Sequence, residues 1–273
     1  VVELSSAKRL MHGDTCVQLN YVANEYRDFF AEKSRVSGFW AVCRTEDQDQ
    51  IDAWLAEHWS ADLDKMTDSQ VLRHLRMTMT TEEGLRKDIR TIMDRVPNVL
   101  FITHVNAVKL DGLPIESRST FIDMVTRAVR AEGGIVYNPT PRMQEVGQTI
   151  AIEDHSDSLA HFTEDFCGVM FPDWYDMAFA PAIMGTVRQG GAEAVDAVLA
   201  PHVNAMIASG RADGKLVDRL DALAQDMDGL PNLVMLQSKL DVAFRSADQA
   251  IARLEALFEQ DTTDVAVGTE LLT

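Results

Sequence analysis

From residue 8 to about residue 181, short apolar runs alternate with amphipathic stretches, a pattern that predicts strand followed by helix, repeated. Residues 8–11 give a first, short strand. Residues 17–30 place Val17, Tyr21, Val22, Tyr26 and Phe29 at helical spacing, and the apolar run 38–43 predicts a second strand. An acidic helical insert spans about 48–95. Residues 98–102, Asn-Val-Leu-Phe-Ile, give the strongest strand signal, followed by a helix over 117–131 that Gly133 and Gly134 stop. Ile135-Val136-Tyr137 is a fourth strand, cut off by Asn138-Pro139. This order predicts an α/β fold, a three-layer, doubly wound and mostly parallel sheet with its site at the carboxyl ends of the strands.

Beyond residue 181 the strand signal stops. Residues 192–207, 215–227 and 232–258 all read as helices. In the last, Leu233, Leu236, Leu240, Ala243, Ala247, Ala250, Leu254 and Leu257 alternate steps of three and four, with Gly229-Leu230-Pro231 before it as a stop and restart. Two readings follow: a helical hairpin packed on its own domain, or a seam joining copies into a homo-oligomer. The expected division is an α/β domain over 1–185 and a helical extension over 186–273, with a loosely ordered tail from Asp261.

Composition narrows the classes. The 273 residues are 46% hydrophobic and 25% charged, ordinary for a globular chain. A net charge of −18 argues against nucleic acid or an anionic membrane as partner. Nothing approaches twenty consecutive apolar residues, so no membrane span is expected. Cys16, Cys43 and Cys167 cannot all pair and lack metal-ligand spacing, which favours buried thiols in a reducing, cytoplasmic setting. The missing initiator Met points to a fragment or a processed form.

Candidate chemistry lies where apolar runs stop. His12-Gly13-Asp14-Thr15-Cys16 follows the first run, Thr103-His104-Val105-Asn106 follows the strongest strand, and Asp157-Ser158-Leu159-Ala160-His161 comes some fifty residues later. A hydroxyl, an amide and a late His with acidic neighbours are the parts of nucleophilic acyl chemistry. In order and context, residues 7–170 resemble the SGNH (GDSL-type) hydrolases, and more particularly a bacterial glycan-linked branch with a His-aromatic-Thr segment, here His161-Phe162-Thr163. Ser117-Arg118, Tyr137-Asn138-Pro139-Thr140 and Gly147-Gln148 add to the likeness.

That resemblance implies an ester hydrolase or O-acyl transferase acting on a small-molecule or glycan ester, a polysaccharide or its precursor among them, and no cofactor or metal is expected. It implies Thr15 as nucleophile, His161 as general base, Asp157 as its orienter and Asn106 as oxyanion donor, with Gly13, Asp14, His104 and Trp174 lining the substrate. Thr15, Asn106 and His161 are expected on one rim of the sheet. The chain departs from the family at two points. Thr stands for Ser, its β-methyl restricting χ1, and Ser158 stands three residues before His161, where the family has Asp. A catalytically inactive binding or assembly module is therefore the competing reading. Other readings stay open for single residues: Asp14 or Thr15 as a helix cap, Asp154, His155, Asp157 and His161 as metal ligands, and Phe162, Phe166, Phe171, Trp174 and Tyr175 as core or as a carbohydrate platform.

Overall fold

The computed structural model describes residues 1–4, 6–59, 69–109, 112–153, 161–227 and 230–260. The chain forms two compact units, Val1–Met170 and Phe171–Thr273.

Among its described residues the first unit holds two three-stranded sheets rather than one doubly wound sheet. The parallel sheet joins β1 (Val2–Leu4), β5 (Leu100–Thr103) and β6 (Ile135–Tyr137) in the order β1-β5-β6, with Glu3 opposite Ile102 and Phe101 opposite Val136. All four residues of the central β5 are buried, as a strand covered on both faces requires. Phe101 packs with Leu85 and Ile89 of α5 (Glu82–Arg95) and with Phe121, Val125, Ala128 and Val129 of α6 (Glu116–Ala131). Thr81 starts α5 by accepting a hydrogen bond from the Gly84 N–H at 3.1 Å, with Glu82 and Glu83 in the first turn.

The antiparallel sheet joins β2 (Lys8–His12), β3 (Thr15–Val17) and β4 (Leu75–Met79) in the order β3-β2-β4. The expected first strand is thus real but belongs to a different sheet. The parallel strand at the N-terminus is β1, a three-residue run that periodicity alone does not single out. Residues 38–43, expected as a strand, are the second half of a helix, α2 (Lys33–Cys43). A short apolar run has no period of its own. Here Phe39 and Cys43, four residues apart, are both fully buried on one helical face. Gly38 lets α2 approach α3 (Gln48–His58), since a Cβ there would lie 3.2 Å from the Trp54 ring. These helices, α1 (Leu19–Glu25) and the turn after it cover the antiparallel sheet through Tyr26, Phe29, Phe30, Phe39, Ile51 and Leu55, packed on Leu10, Leu75 and Met77.

Short α4 (Ser69–Arg73) precedes β4, and α7 (Thr140–Val146) and α8 (Gln148–Ala151) follow β6, before α9 (Glu164–Trp174). Of the cysteines only Cys43 is buried, and burial pushes its thiol up to about 12; Cys16 and Cys167 are exposed, against expectation.

In the second unit, a π-helical turn over Tyr175–Phe179 leads into α10 (Ala180–Ala194), and another over Val195–Leu199 leads into α11 (Ala200–Ala208). Then come α12 (Gly214–Asp226), α13 (Pro231–Phe244) and α14 (Ala247–Gln260). The seam expected over 232–258 is two helices, not one. Ser246 breaks it: its hydroxyl accepts from the Gln249 N–H at 3.2 Å and caps α14, so the chain turns back and α13 packs on α14. Leu233, Leu236 and Leu240 are buried with Leu216, Leu220 and Leu223, while Leu254 and Leu257 pack beside Val234 and Met235. The leucines of the stripe that motivated an oligomer seam, with Ala250, are therefore covered within the unit, while Ala243 and Ala247 at the break are exposed. Fully buried Asp241 accepts from Arg253 at 2.6 Å and Arg245 at 3.2 Å, tying α13 to α14, and Asp221 of α12 accepts from both arginines and from Gln237.

Among the described residues, no helix is long and apolar enough to cross a membrane.

Candidate functional site

A polar rim forms at the carboxyl edge of the parallel sheet, where β5 runs into a segment that stays buried after its strand ends. His104 is 7% exposed, and Val105 and Ala107 are fully buried. Helix α6 opens against this segment. Arg118 donates to the Val105 carbonyl at 3.4 Å, and the Asn106 side-chain amide donates to the Ser119 hydroxyl. The end of β6 supplies the third contact. The Asn138 side chain accepts from the Thr140 N–H at 3.0 Å, a local turn that aims the Thr140 hydroxyl at the Asn106 N–H, 2.9 Å away. Further along, Gln148 grips Val108 twice, accepting from its N–H at 2.6 Å and donating to its carbonyl at 2.8 Å.

Two side-chain atoms in this rim are buried without a hydrogen-bond partner among the described residues: Nδ1 of His104 and Oδ1 of Asn106. A buried polar atom left unpaired costs about 1–3 kcal/mol, so such atoms mark places where a ligand or solvent atom belongs. A half-turn of the Asn106 amide would let the Ser119 hydroxyl donate to Oδ1 and would present an N–H at the vacant position instead. Burial drives the His104 imidazole down to about 4, with Arg118 and then His161 adding to the shift, so it is neutral at pH 7. Arg118 is itself shifted downward by burial. Glu3 of β1 reaches the same edge, its carboxylate 3.9 Å from His104 Nδ1. Burial raises the Glu3 carboxyl, and the His161 imidazole partly offsets that.

His161 is held by backbone geometry. Ile152 and Phe162 form an antiparallel bridge, the Glu153 N–H donates to the His161 carbonyl at 3.0 Å, and the Thr163 N–H donates to Ala151 at 3.1 Å. The Thr163 hydroxyl donates to the Ile150 carbonyl at 2.6 Å and accepts from the Phe166 N–H at 3.1 Å, capping α9, while the Phe162 and Phe166 rings lie 5.6 Å apart. The three residues of the His-aromatic-Thr segment thus supply an exposed imidazole, an aromatic anchor and a helix cap, in that order.

Of the expected site residues, His104 and Asn106 share the segment after β5, and His161 acts electrostatically on His104 and Glu3. Thr15 does not follow a parallel strand. It opens β3, paired with His12 across a two-residue hairpin, and is exposed. Gly13 takes the first turn position with φ +57°, as a type II′ hairpin requires, and Asp14 takes the second. Neither Asp14 nor Thr15 caps a helix, since α1 starts later with Gln18 at its N-cap. Trp174 ends α9 and falls in the second unit. Asp157, with Asp154, His155 and Ser158, lies outside the described residues, so the expected orienter and the alternative ligand set have no described geometry. Among the described residues no group of three or more His, Cys, Asp or Glu could hold a metal ion.

Sequence reading missed Glu3, Ser119 and the Thr140 contact. Asn138-Pro139-Thr140 carried a usable signal, an Asn two residues before the N–H it accepts. Glu3 carried only the alternation of Val2-Glu3-Leu4.

The first unit is thus an α/β unit with its polar side chains gathered at the carboxyl edge of a parallel sheet. The family model of the TviD N-terminal domain matches residues 1–177, and the chain belongs to that family. It is 30% identical over 169 residues to the Vi polysaccharide biosynthesis protein TviD of Salmonella typhi, covering 61% of this chain and 20% of that protein. The chain spans about a fifth of that relative's length. No solved structure matches.

Proposed function

We propose that the unit Val1–Met170 processes acyl esters in polysaccharide biosynthesis or modification, as an ester hydrolase or O-acyl transferase of SGNH type acting on a polysaccharide or its precursor. The observation that carries this reading is the rim itself. His104, Asn106, Arg118, Ser119 and Thr140 interlock at the strand ends, with two orphaned polar atoms among them. The polysaccharide is supported by the name of the Salmonella relative. In this mechanism His161 accepts the proton of the attacking hydroxyl, and Asn106 donates to the oxyanion, a contact worth about 2.7–4 kcal/mol of barrier. Neutral His104 lines the acyl site without competing for that proton.

The resemblance puts the nucleophile after the first strand of the parallel sheet. That strand is β1, so Ser6, the first described residue beyond it, competes with Thr15 for the role. The Ser6 hydroxyl donates to the Lys8 carbonyl at 2.9 Å in the resting structure. Asp157 remains the implied orienter of His161.

The test is fluorophosphonate labelling together with turnover of a short acyl ester. His161→Ala should abolish both without unfolding the chain, and loss in only one of Ser6→Ala and Thr15→Ala identifies the nucleophile. One observation favours a second reading, an inactive binding or assembly module: the hydroxyl that best fits the family motif, Thr15, sits in the antiparallel hairpin. No labelling and no turnover in the parent chain would select it. Self-association, in either reading, would rest on the exposed Val242, Phe244 and Ile251 rather than on the buried leucines.

A further inference from the structure

Glu3 stands opposite Ile102 in the β1–β5 pair, and His104 follows Ile102 by two residues, the period that returns a side chain to the same side of a strand. Strand register therefore sets Glu3 beside His104, with its carboxylate 3.9 Å from Nδ1. That is too long for a hydrogen bond, and Nδ1 is buried with no partner among the described residues. The His104 side chain is 9% exposed and that of Glu3 46%, so a ligand meets the pair from the Glu3 side.

The spacing fits one bridging oxygen at about 2.8 Å from each atom. The carboxylate can only accept. Its charge favours the tautomer of neutral His104 that carries the proton on Nδ1, so the ring donates. An oxygen between them must therefore accept from one side and donate to the other. A carboxylate or phosphate oxygen only accepts and would face the Glu3 charge. An ammonium only donates, leaves Nδ1–H unpaired, and would meet the Arg118 guanidinium that already disfavours a cation at His104. A hydroxyl satisfies both atoms and brings no charge.

We propose that Glu3 and His104 form a hydroxyl-binding subsite for the saccharide part of the substrate, in which one sugar hydroxyl donates to the Glu3 carboxylate and accepts from His104 Nδ1–H. The proposal rests on the acyl-ester reading above for the identity of that substrate, and it adds the two residues that hold its sugar. Glu3 is then a specificity-determining residue. It selects esters carried on a hydroxylated ring and takes no part in the proton transfer.

Two measurements on the full chain test this. In the first, methyl glucoside and methyl galactoside are titrated in at millimolar concentrations while the His104 ring nitrogens are followed by nitrogen-15 NMR. Nδ1 should shift saturably with at least one glycoside. Glu3→Ala, on an exposed strand position, should keep the fold and weaken that affinity about tenfold or more, the loss of one hydrogen bond to a charged group. No saturable shift with either glycoside, or equal affinity in Glu3→Ala, overturns the subsite. The second measurement compares kcat/KM for O-acetylated methyl glycosides with kcat/KM for p-nitrophenyl acetate, which carries no sugar. Glu3→Ala should lower the ratio of the two about tenfold, mainly through KM. An unchanged ratio also overturns the subsite and leaves the acyl-ester reading intact. A parent chain that binds a glycoside through Glu3 but turns over no ester does the reverse.

Discussion

Gln148 holds the rim loop in place, and its removal should be felt in both stability and activity. Its amide is bonded through both ends to one residue, accepting from the Val108 N–H at 2.6 Å and donating to the Val108 carbonyl at 2.8 Å. Each bond contributes about 0.5–1.5 kcal/mol, so Gln148→Ala should cost about 1–3 kcal/mol, with two half-buried backbone groups left for water to satisfy. Gln148→Glu keeps the acceptor and loses the donor, so about half that cost is expected. For a unit the size of Val1–Met170, a loss of about 2 kcal/mol lowers the melting temperature by about 4–8 °C. Val108 follows Asn106 by two residues, so under the acyl-ester function proposed above the loosened loop should also lower turnover more than it raises KM. Thermal unfolding by near-ultraviolet circular dichroism, with turnover measured well below the transition, checks both. A Gln148→Ala chain within about 0.5 kcal/mol of the parent, or a Glu variant as unstable as the Ala variant, would refute the two-bond account.

Acid should destabilise the first unit through His104. Its folded value of about 4 lies below the unfolded 6.5, so the unfolded chain binds the proton first, and up to about 3 kcal/mol of stability is lost as pH falls from 6.5 towards 4. Urea midpoints at pH 7 and pH 5 measure this, and a His104→Gln chain with the same pH slope would assign it elsewhere. Asp241→Ala should destabilise the second unit by about 2–3 kcal/mol, less than a fully broken buried pair, because Arg245 and Arg253 keep Asp221. Hydrogen exchange of the α13 and α14 amides reads it, and unchanged protection there would contradict the network's role. Gly13→Ala should cost about 1 kcal/mol through the positive φ of the hairpin, and equal thermal midpoints would show that the turn adapts. Light scattering of Val242→Asp tests self-association: a dimer reduced to monomer supports the exposed patch, and a parent that is monomeric at micromolar concentration removes it.

What the sequence revealed depended on how much information each segment held by itself. β5, β6 and α6 were legible because short apolar strands flanked by turn residues and a long amphipathic helix with a Gly stop are locally determined. Residues 38–43 were not, because an apolar run of that length is compatible with either element, and the Gly38–Trp54 approach that settles it is tertiary. The sheet to which residues 8–12 belong was illegible for the same reason, since β4 lies more than sixty residues away. Ser246 and Gln249 did hold a capping signal, which the regular leucine and alanine spacing outweighed. At the site, Asn106 and His161 were visible as polar ends of apolar runs. Thr15 carried the family's motif, but its Gly-Asp pair is equally the chemistry of a two-residue hairpin. Glu3 had no local mark, and only strand pairing brings it to His104.

Ile152 and Phe162 are bridged, and Glu153 bonds back to His161, so the backbone at residue 161 is tied directly to residues 152 and 153. The entropy of closing a loop grows only with the logarithm of its length, about 0.6 kcal/mol for each doubling. The bridge therefore fixes only where the chain leaves Ile152 and returns at Phe162, and an insertion between those two anchors is the kind of change that such a backbone tie tolerates best.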